Sequence, residues 1–189
     1  MKKVLFIIGM LVLYFALVLA VEATGFANPY LWVFFGALEA LVAATPVLAV
    51  GVRWQKPGAL IIFSVFWGII MGALGEYSKL IVPIFLLIMA VAAEVVRAAV
   101  GYQKQLGLRL GYACICTGLA GTIFPMFLYK EWYYQGAIDE MGSVAYADTL
   151  MKLANPGILI VVVVGAFVCG LLGALIAEKL FKHRVIIQA

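Results

Sequence analysis

Histidine is almost missing from this chain. His183 is the only one, and it sits in a basic tail, so no His-based metal site, catalytic triad or proton shuttle can form in the apolar part of the sequence. Cysteine is scarce as well. Cys114, Cys116 and Cys169 all fall inside apolar runs, with neither the pairing of a disulfide framework nor the spacing of a metal site. Cys114 and Cys116 are two apart and point to different faces of a helix, which suits small buried residues. No glycine-rich phosphate loop of the GxxxxGK type is present. Charged residues make up 12% of the chain, about half the share usual in a soluble domain. These absences leave catalysis without its common side-chain constellations. The expectation is a protein that is not an enzyme, with no catalytic residues, no metal and no cofactor bound by this chain; if it serves an ATP-driven process, another chain binds the ATP.

What the sequence has in abundance is apolar length. Of its 189 residues 67% are apolar, and the mean hydropathy is +1.15. A hydrocarbon core of about 30 Å needs roughly 20 apolar residues per helical span. Marking apolar runs bounded by charge, glycine or proline gives six, at about 4–23, 30–52, 58–74, 80–100, 107–128 and 157–180. The expected fold is an all-α integral membrane protein, a compact bundle of six transmembrane helices forming a single membrane domain over residues 1–189. The first run, with Lys2 and Lys3 ahead of it, also fits a secretory signal peptide, but its apolar stretch exceeds the 7 to 15 residues expected of a signal core. An uncleaved first helix is the preferred reading.

The basic residues test this layout. With both termini placed in the cytoplasm, Lys2, Lys3, Arg53, Lys56, Arg97, Lys104, Arg109, Lys179, Lys182 and Arg184 lie inside, and only Lys79, Lys130 and Lys152 outside. Ten against three is a positive-inside bias, so the net charge of +4 reports topology in a lipid bilayer rather than affinity for nucleic acid. The segment 129–156 then faces outward. Apolar residues recurring in it near helical spacing (Ala137, Ile138, Met141, Val144, Ala145, Leu150, Met151) predict an amphipathic lid helix.

Few residues in the spans carry chemistry. Glu39 lies about ten residues into the second run, where a carboxylate costs on the order of 2.5–3.5 kcal/mol. It is therefore protonated, paired with a buried donor, or facing water. Pro46 removes the backbone bond to Val42 and predicts a bend beside it. Glu94 and Arg97, three apart, are placed to pair across one helical face. Small residues recur at Ala16 and Ala20, at Gly36, Ala40 and Ala44, at Gly68 and Gly72, and at Ala166, Gly170 and Ala174 with Gly173 and Ala177 beside them, which permits close helix approach in lipid. The aromatic cluster Tyr129, Trp132, Tyr133 and Tyr134 reads equally as an interfacial belt or, with Lys130, Glu131, Glu76 and Tyr77, as the wall of a small-molecule pocket.

Several stretches carry a resemblance. AlaGluValValArg at 93–97, GlyTyrGlnLysGlnLeuGlyLeuArgLeuGlyTyrAla at 101–113, ThrIlePheProMetPheLeuTyrLysGluTrpTyr at 122–133, and AsnPro at 155–156 leading into the small-residue helix at 164–183 resemble the Trep_Strep family. That family looks like the substrate-binding S-components of energy-coupling factor (ECF) transporters, a type of ABC importer. The likeness covers roughly the C-terminal half, together with the length and the six-span layout. It implies a multi-pass protein of the cell membrane that captures a small micronutrient on its outer face: a vitamin, a precursor or a haem-like tetrapyrrole. The implied partners are a membrane scaffold (T-component) and two ATP-binding subunits, which use ATP. Tyr or Met would be the iron ligands for haem, since no outer histidine is present. An AxxxA face on the first helix docks the scaffold in such proteins, and Ala16 and Ala20 match it. The match departs from the pattern in that this pair lies toward the outer end of the run and the polar lead-in is shortened to MetLysLys. On this reading Tyr129, Trp132, Tyr133 and Tyr134 stack on the substrate, and Glu76, Tyr77 and Asn155 offer hydrogen bonds. Two alternatives stay open: a stand-alone or proton-coupled carrier using Glu39, and a non-transporting scaffold subunit.

Overall fold

The computed structural model of the chain describes residues 2–74 and 81–181. Glu76, Tyr77, Lys79, Lys182, His183 and Arg184 lie outside the described residues. Among the described residues every regular element is helical. α1 (Lys2–Ala27), α6 (Ile81–Val100) and α11 (Pro156–Phe181) are long and apolar enough to cross a membrane. α3 (Phe35–Val42) and α4 (Ala44–Arg53) together make a fourth candidate span, bent by 51°. α5 (Ile61–Leu74) is apolar but shorter, at 14 residues. The runs at 30–52 and 107–128 are not single helices. The first divides into α2 (Pro29–Val33), α3 and α4, the second into α7 (Gln105–Cys116), a 3-10 segment (Thr117–Thr122) and α8 (Pro125–Leu128).

Each break has a local cause. Asn28 starts α2 by accepting a hydrogen bond from the Tyr30 N–H at 2.8 Å, with Pro29 in the first helical position where its missing N–H costs nothing. Pro46, in the first turn of α4, has no N–H to return to Val42, and the chain bends at Ala43. The 3-10 segment is set by its neighbour. A Cβ on Gly121 would lie 2.8 Å from Phe85 Cβ and one on Gly118 3.1 Å from Met89 Cβ. The glycines therefore let this segment press against α6, and Thr117 and Thr122 return their hydroxyls to the Cys114 and Leu119 carbonyls.

The bundle closes around α6, α7 and α11. α6 packs against α5, α7 and the 3-10 segment, while α11 packs against α3, α4 and α7. The small residues sit at these crossings. A Cβ on Gly170 would be 2.8 Å from Ala113 Cα, and Gly173 faces the Ala40 carbonyl and the Leu41 backbone. Ala16 and Ala20, by contrast, are exposed. α1 fully buries Tyr14, Val18, Glu22 and Gly25, packs Phe6, Ile7, Met10, Leu11, Phe15 and Val21 beside them against the core, and turns its remaining apolar face outward as a lipid-facing helix does.

Segment 129–156 holds two helices rather than one lid helix: α9 (Lys130–Met141) and α10 (Val144–Leu153). Gly142 ends α9 in the left-handed conformation (φ 61°), and Ser143 starts α10 by accepting from the Tyr146 N–H at 3.3 Å. The pair forms a helical hairpin across one end of the bundle, on an apolar cluster that includes Val33, Ile123, Met126, Leu150 and Val162. At the other end Arg109 makes a two-pronged ion pair with Glu178, joining α7 to α11, and Arg53 stacks 3.8 Å over the Phe6 ring, joining α4 to α1. Glu94 and Arg97 pair at 3.3 Å, and the same Glu94 oxygen accepts from the Leu60 N–H ahead of α5.

Because Gly170 meets backbone rather than a movable side chain, Gly170→Val forces α7 and α11 apart and is expected to cost about 1–3 kcal/mol. A lowered thermal midpoint in detergent, with Gly165→Ala unchanged because nothing lies within 4 Å of its Cβ position, checks this.

Candidate functional site: two stacked chambers under a helical hairpin

Long-range hydrogen bonds from Tyr146 and Trp32 help fasten the hairpin to the bundle. Tyr146 on α10 donates to the Gly25 carbonyl of α1 at 2.6 Å, and Trp32 on α2 donates its indole N–H to the Tyr133 hydroxyl of α9 at 2.8 Å. Gly25 is required where it is, since a Cβ there would lie 2.8 Å from the Trp32 ring. Burial pushes the Tyr146 hydroxyl up to about 12, so this fastening is uncharged at ordinary pH.

Beneath the hairpin lies a narrow chamber. Trp32, Phe35 and Tyr133 supply aromatic wall, Glu22 and Glu140 supply carboxylates, and Thr122 supplies a hydroxyl. Met71, Val82, Met141 and Leu150 complete it. As folded it has room for about one or two waters rather than a vitamin-sized molecule, so anything larger must displace the hairpin.

A second, water-sized hollow lies deeper. Its walls include Glu39, Ser64, Tyr14, Phe63, Tyr112 and Cys116. Tyr14 donates to Glu39 Oε1 at 2.6 Å, and Tyr112 donates to the Ala40 carbonyl at 2.8 Å. Glu39 Oε2 and Ser64 Oγ are buried without a hydrogen-bond partner. The two spaces are stacked on shared elements: Phe35 and Glu39 are one turn apart on α3, Val82 and Leu86 one turn apart on α6, and Thr122 and Leu119 one turn apart on the 3-10 segment.

The structure distributes the aromatic cluster widely. Tyr133 lines the upper chamber. Trp132 and Tyr129 stand exposed and meet edge to face at 6.5 Å. Tyr134 donates to Asp148 at 2.9 Å across the hairpin, and that carboxylate pushes its hydroxyl pKa upward. Asn155 is exposed, and its side-chain oxygen accepts from the Ile158 N–H in the first turn of α11 at 3.0 Å. Glu39 is buried and paired with Tyr14. Trp32, Glu22, Glu140, Ser64, Tyr14 and Tyr112 were not singled out as site residues by the sequence reading. Tyr14, Glu39, Ser64 and Tyr112 share one signal, a polar atom near the middle of an apolar run. No group of three or more His, Cys, Asp or Glu side chains placed to hold a metal ion occurs among the described residues.

Apolar helices of spanning length, a buried polar interior and a lipid-facing first helix define an all-α integral membrane protein. More particularly, the chain belongs to the Trep_Strep family of hypothetical bacterial integral membrane proteins, whose family model matches residues 1–184. No curated protein and no solved structure matches it.

The Tyr146 fastening yields a pH signature. Its folded pKa of about 12 exceeds the unfolded value of about 10, so its contribution to stability is complete below pH ~10 and lost as pH rises toward ~12. In a thermal series the wild-type midpoint should fall toward that of Tyr146→Phe across this window; parallel curves would remove Tyr146 from the fastening.

Proposed function

We propose that this protein is the substrate-binding membrane subunit (S-component) of an ECF-type ABC importer of the cell membrane. It captures a small micronutrient at the hairpin end and hands it to a separate energising module. The observation that carries the reading is the aromatic and carboxylate-lined chamber roofed by a hairpin that hydrogen bonds from Tyr146 and Trp32 tie to α1 and α2. Opening such a roof breaks hydrogen bonds worth about 0.5–1.5 kcal/mol each and uncovers the buried Ala147 and Leu150 of α10, a cost that bound substrate offsets when the roof closes over it as lids do.

The family's membrane character and the resemblance of the C-terminal half support the same reading. In it the chain crosses six times with both termini in the cytoplasm, the broken segments α2–α4 and α7–α8 each counting as one crossing, and the hairpin faces outward. The positive-inside bias supports this orientation. α1 is the docking helix, because Ala16 and Ala20 are exposed on the face that α1 turns away from the bundle. The scaffold (T-component) seats there, and two ATP-binding subunits hydrolyse the ATP. This chain carries no cofactor and performs no covalent chemistry; its work is binding and release.

Mild-detergent purification of the tagged protein from its host, with mass spectrometry of co-purifying proteins, tests the assignment. Two ATPases and a second membrane subunit are expected; recovery of the chain alone, where other complexes survive, would favour a solitary carrier. For a compound identified in the same preparation, Tyr133→Ala should weaken binding by about tenfold or more, as truncation of a buried aromatic anchor does. Trp132→Ala, outside the chamber wall, should stay within about threefold. Reversal of that order would move the binding surface to the hairpin's outer face.

A further inference from the structure

The deeper hollow has a composition that the proposed capture of a nutrient does not by itself require. It contains an acceptor, Glu39 Oε2, and a hydroxyl, Ser64 Oγ, both on side chains at most 4% exposed and neither with a protein partner. Buried side-chain atoms without a partner also occur on Trp67, Glu94 and Arg97, but Glu39 Oε2 and Ser64 Oγ belong to side chains that line one hollow, where no solvent is at hand to satisfy them. Two such atoms facing one hollow indicate a shared ligand.

The chemistry of that ligand follows from the walls. Tyr14, Phe63 and Tyr112 place aromatic rings around the hollow, with Tyr14 and Phe63 edge to face at 5.3 Å. No basic side chain lines it among the described residues. The cations on the neighbouring helices have their own partners, Arg97 in Glu94 and Arg109 in Glu178. A carboxylate oxygen, a hydroxyl and several ring faces around a water-sized space match the head of a primary amine. An ammonium group is about as large as water, donates three hydrogen bonds and is attracted to aromatic faces. A free metal cation fits less well, because a hard cation of that size requires more oxygen ligands than this wall presents.

Stacking of the two spaces supplies the body of the ligand. Because Phe35 and Glu39, and likewise Val82 and Leu86, are one turn apart, the hollow lies about 5 Å below the upper chamber along the helix axes. This is the separation between an amino group and the centre of a ring or chain attached through a short linker. We infer that the substrate is a small organic amine that enters head first, its ammonium between Glu39 and Ser64 and its apolar or aromatic body between Trp32 and Tyr133 under the hairpin. The inference rests on the upper chamber being the substrate pocket.

Matched probes separate the two ideas. Binding to the purified full-length protein is measured by calorimetry and thermal shift for tyramine against para-ethylphenol, tryptamine against ethylindole, and hexylamine against hexanol. At least one amine should bind about tenfold or more tightly than its neutral counterpart, the scale of one charged hydrogen bond. That preference should disappear in Glu39→Gln and shrink in Ser64→Ala. Should Glu39→Gln fail to fold, the wild-type pairs and Ser64→Ala still decide. Neutral members binding as tightly as amines overturn the ammonium subsite and leave the upper pocket standing. If no probe binds, the amine inference fails, and co-purification judges the importer reading separately.

Discussion

A carboxyl group carried into hydrocarbon must find its partners inside the protein, and Glu39 imposes that demand on this bundle. Water cannot reach in to solvate it, so the helices around it are chosen and bent to supply polar atoms. α1 brings the Tyr14 hydroxyl, which bonds one Glu39 oxygen, while α5 and α7 bring Ser64 and Tyr112 to the same hollow, Ser64 without a hydrogen-bond partner and Tyr112 bonded to the Ala40 carbonyl next in the chain. The chain bends a turn beyond Glu39, at Ala43. Take Glu39 away and an apolar bundle of the same helices loses the reason for this particular register.

The hairpin end obeys the same economy in a milder setting. Nearer the aqueous boundary, polar groups can be exchanged with solvent, so bonds there open and remake at low cost. The hydrogen bonds from Tyr146 to Gly25 and from Trp32 to Tyr133 sit over the apolar cluster beneath the hairpin. The opposite end is built differently: the Arg109–Glu178 fork joins α7 to α11, and Glu94, paired with Arg97 within α6, also accepts from the Leu60 N–H ahead of α5. Ion pairs thus gather at one end of the bundle, and tyrosine and tryptophan hydrogen bonds seat the hairpin at the other.

Much of this was legible in the chain, and the failures have physical reasons. Composition gives the membrane, and Pro46 marks the bend between α3 and α4. Gly142 and Ser143 are plain punctuation between two helices, yet the apolar residues on both sides keep near-helical spacing and read as one. The 3-10 segment was hidden because its cause is α6, a neighbour that local sequence does not reveal. The aromatic run misled in a simpler way. Residues 132, 133 and 134 on a helix point about 100° apart, so one ring faces the chamber while the others face solvent or α10. The depth of Tyr14 in its own run, set beside that of Glu39, was the unused clue to their pairing.

Chain order adds a dimension of time. A membrane protein is delivered to the bilayer from its N-terminus, and Tyr14 precedes Glu39 by 25 residues, so the donor is already in place when the acid arrives. The fastenings of the hairpin span 101 and 121 residues and wait for the last third of the chain. The partner of the costly acid thus comes ahead of it in the chain, and the contacts that seat the hairpin come late.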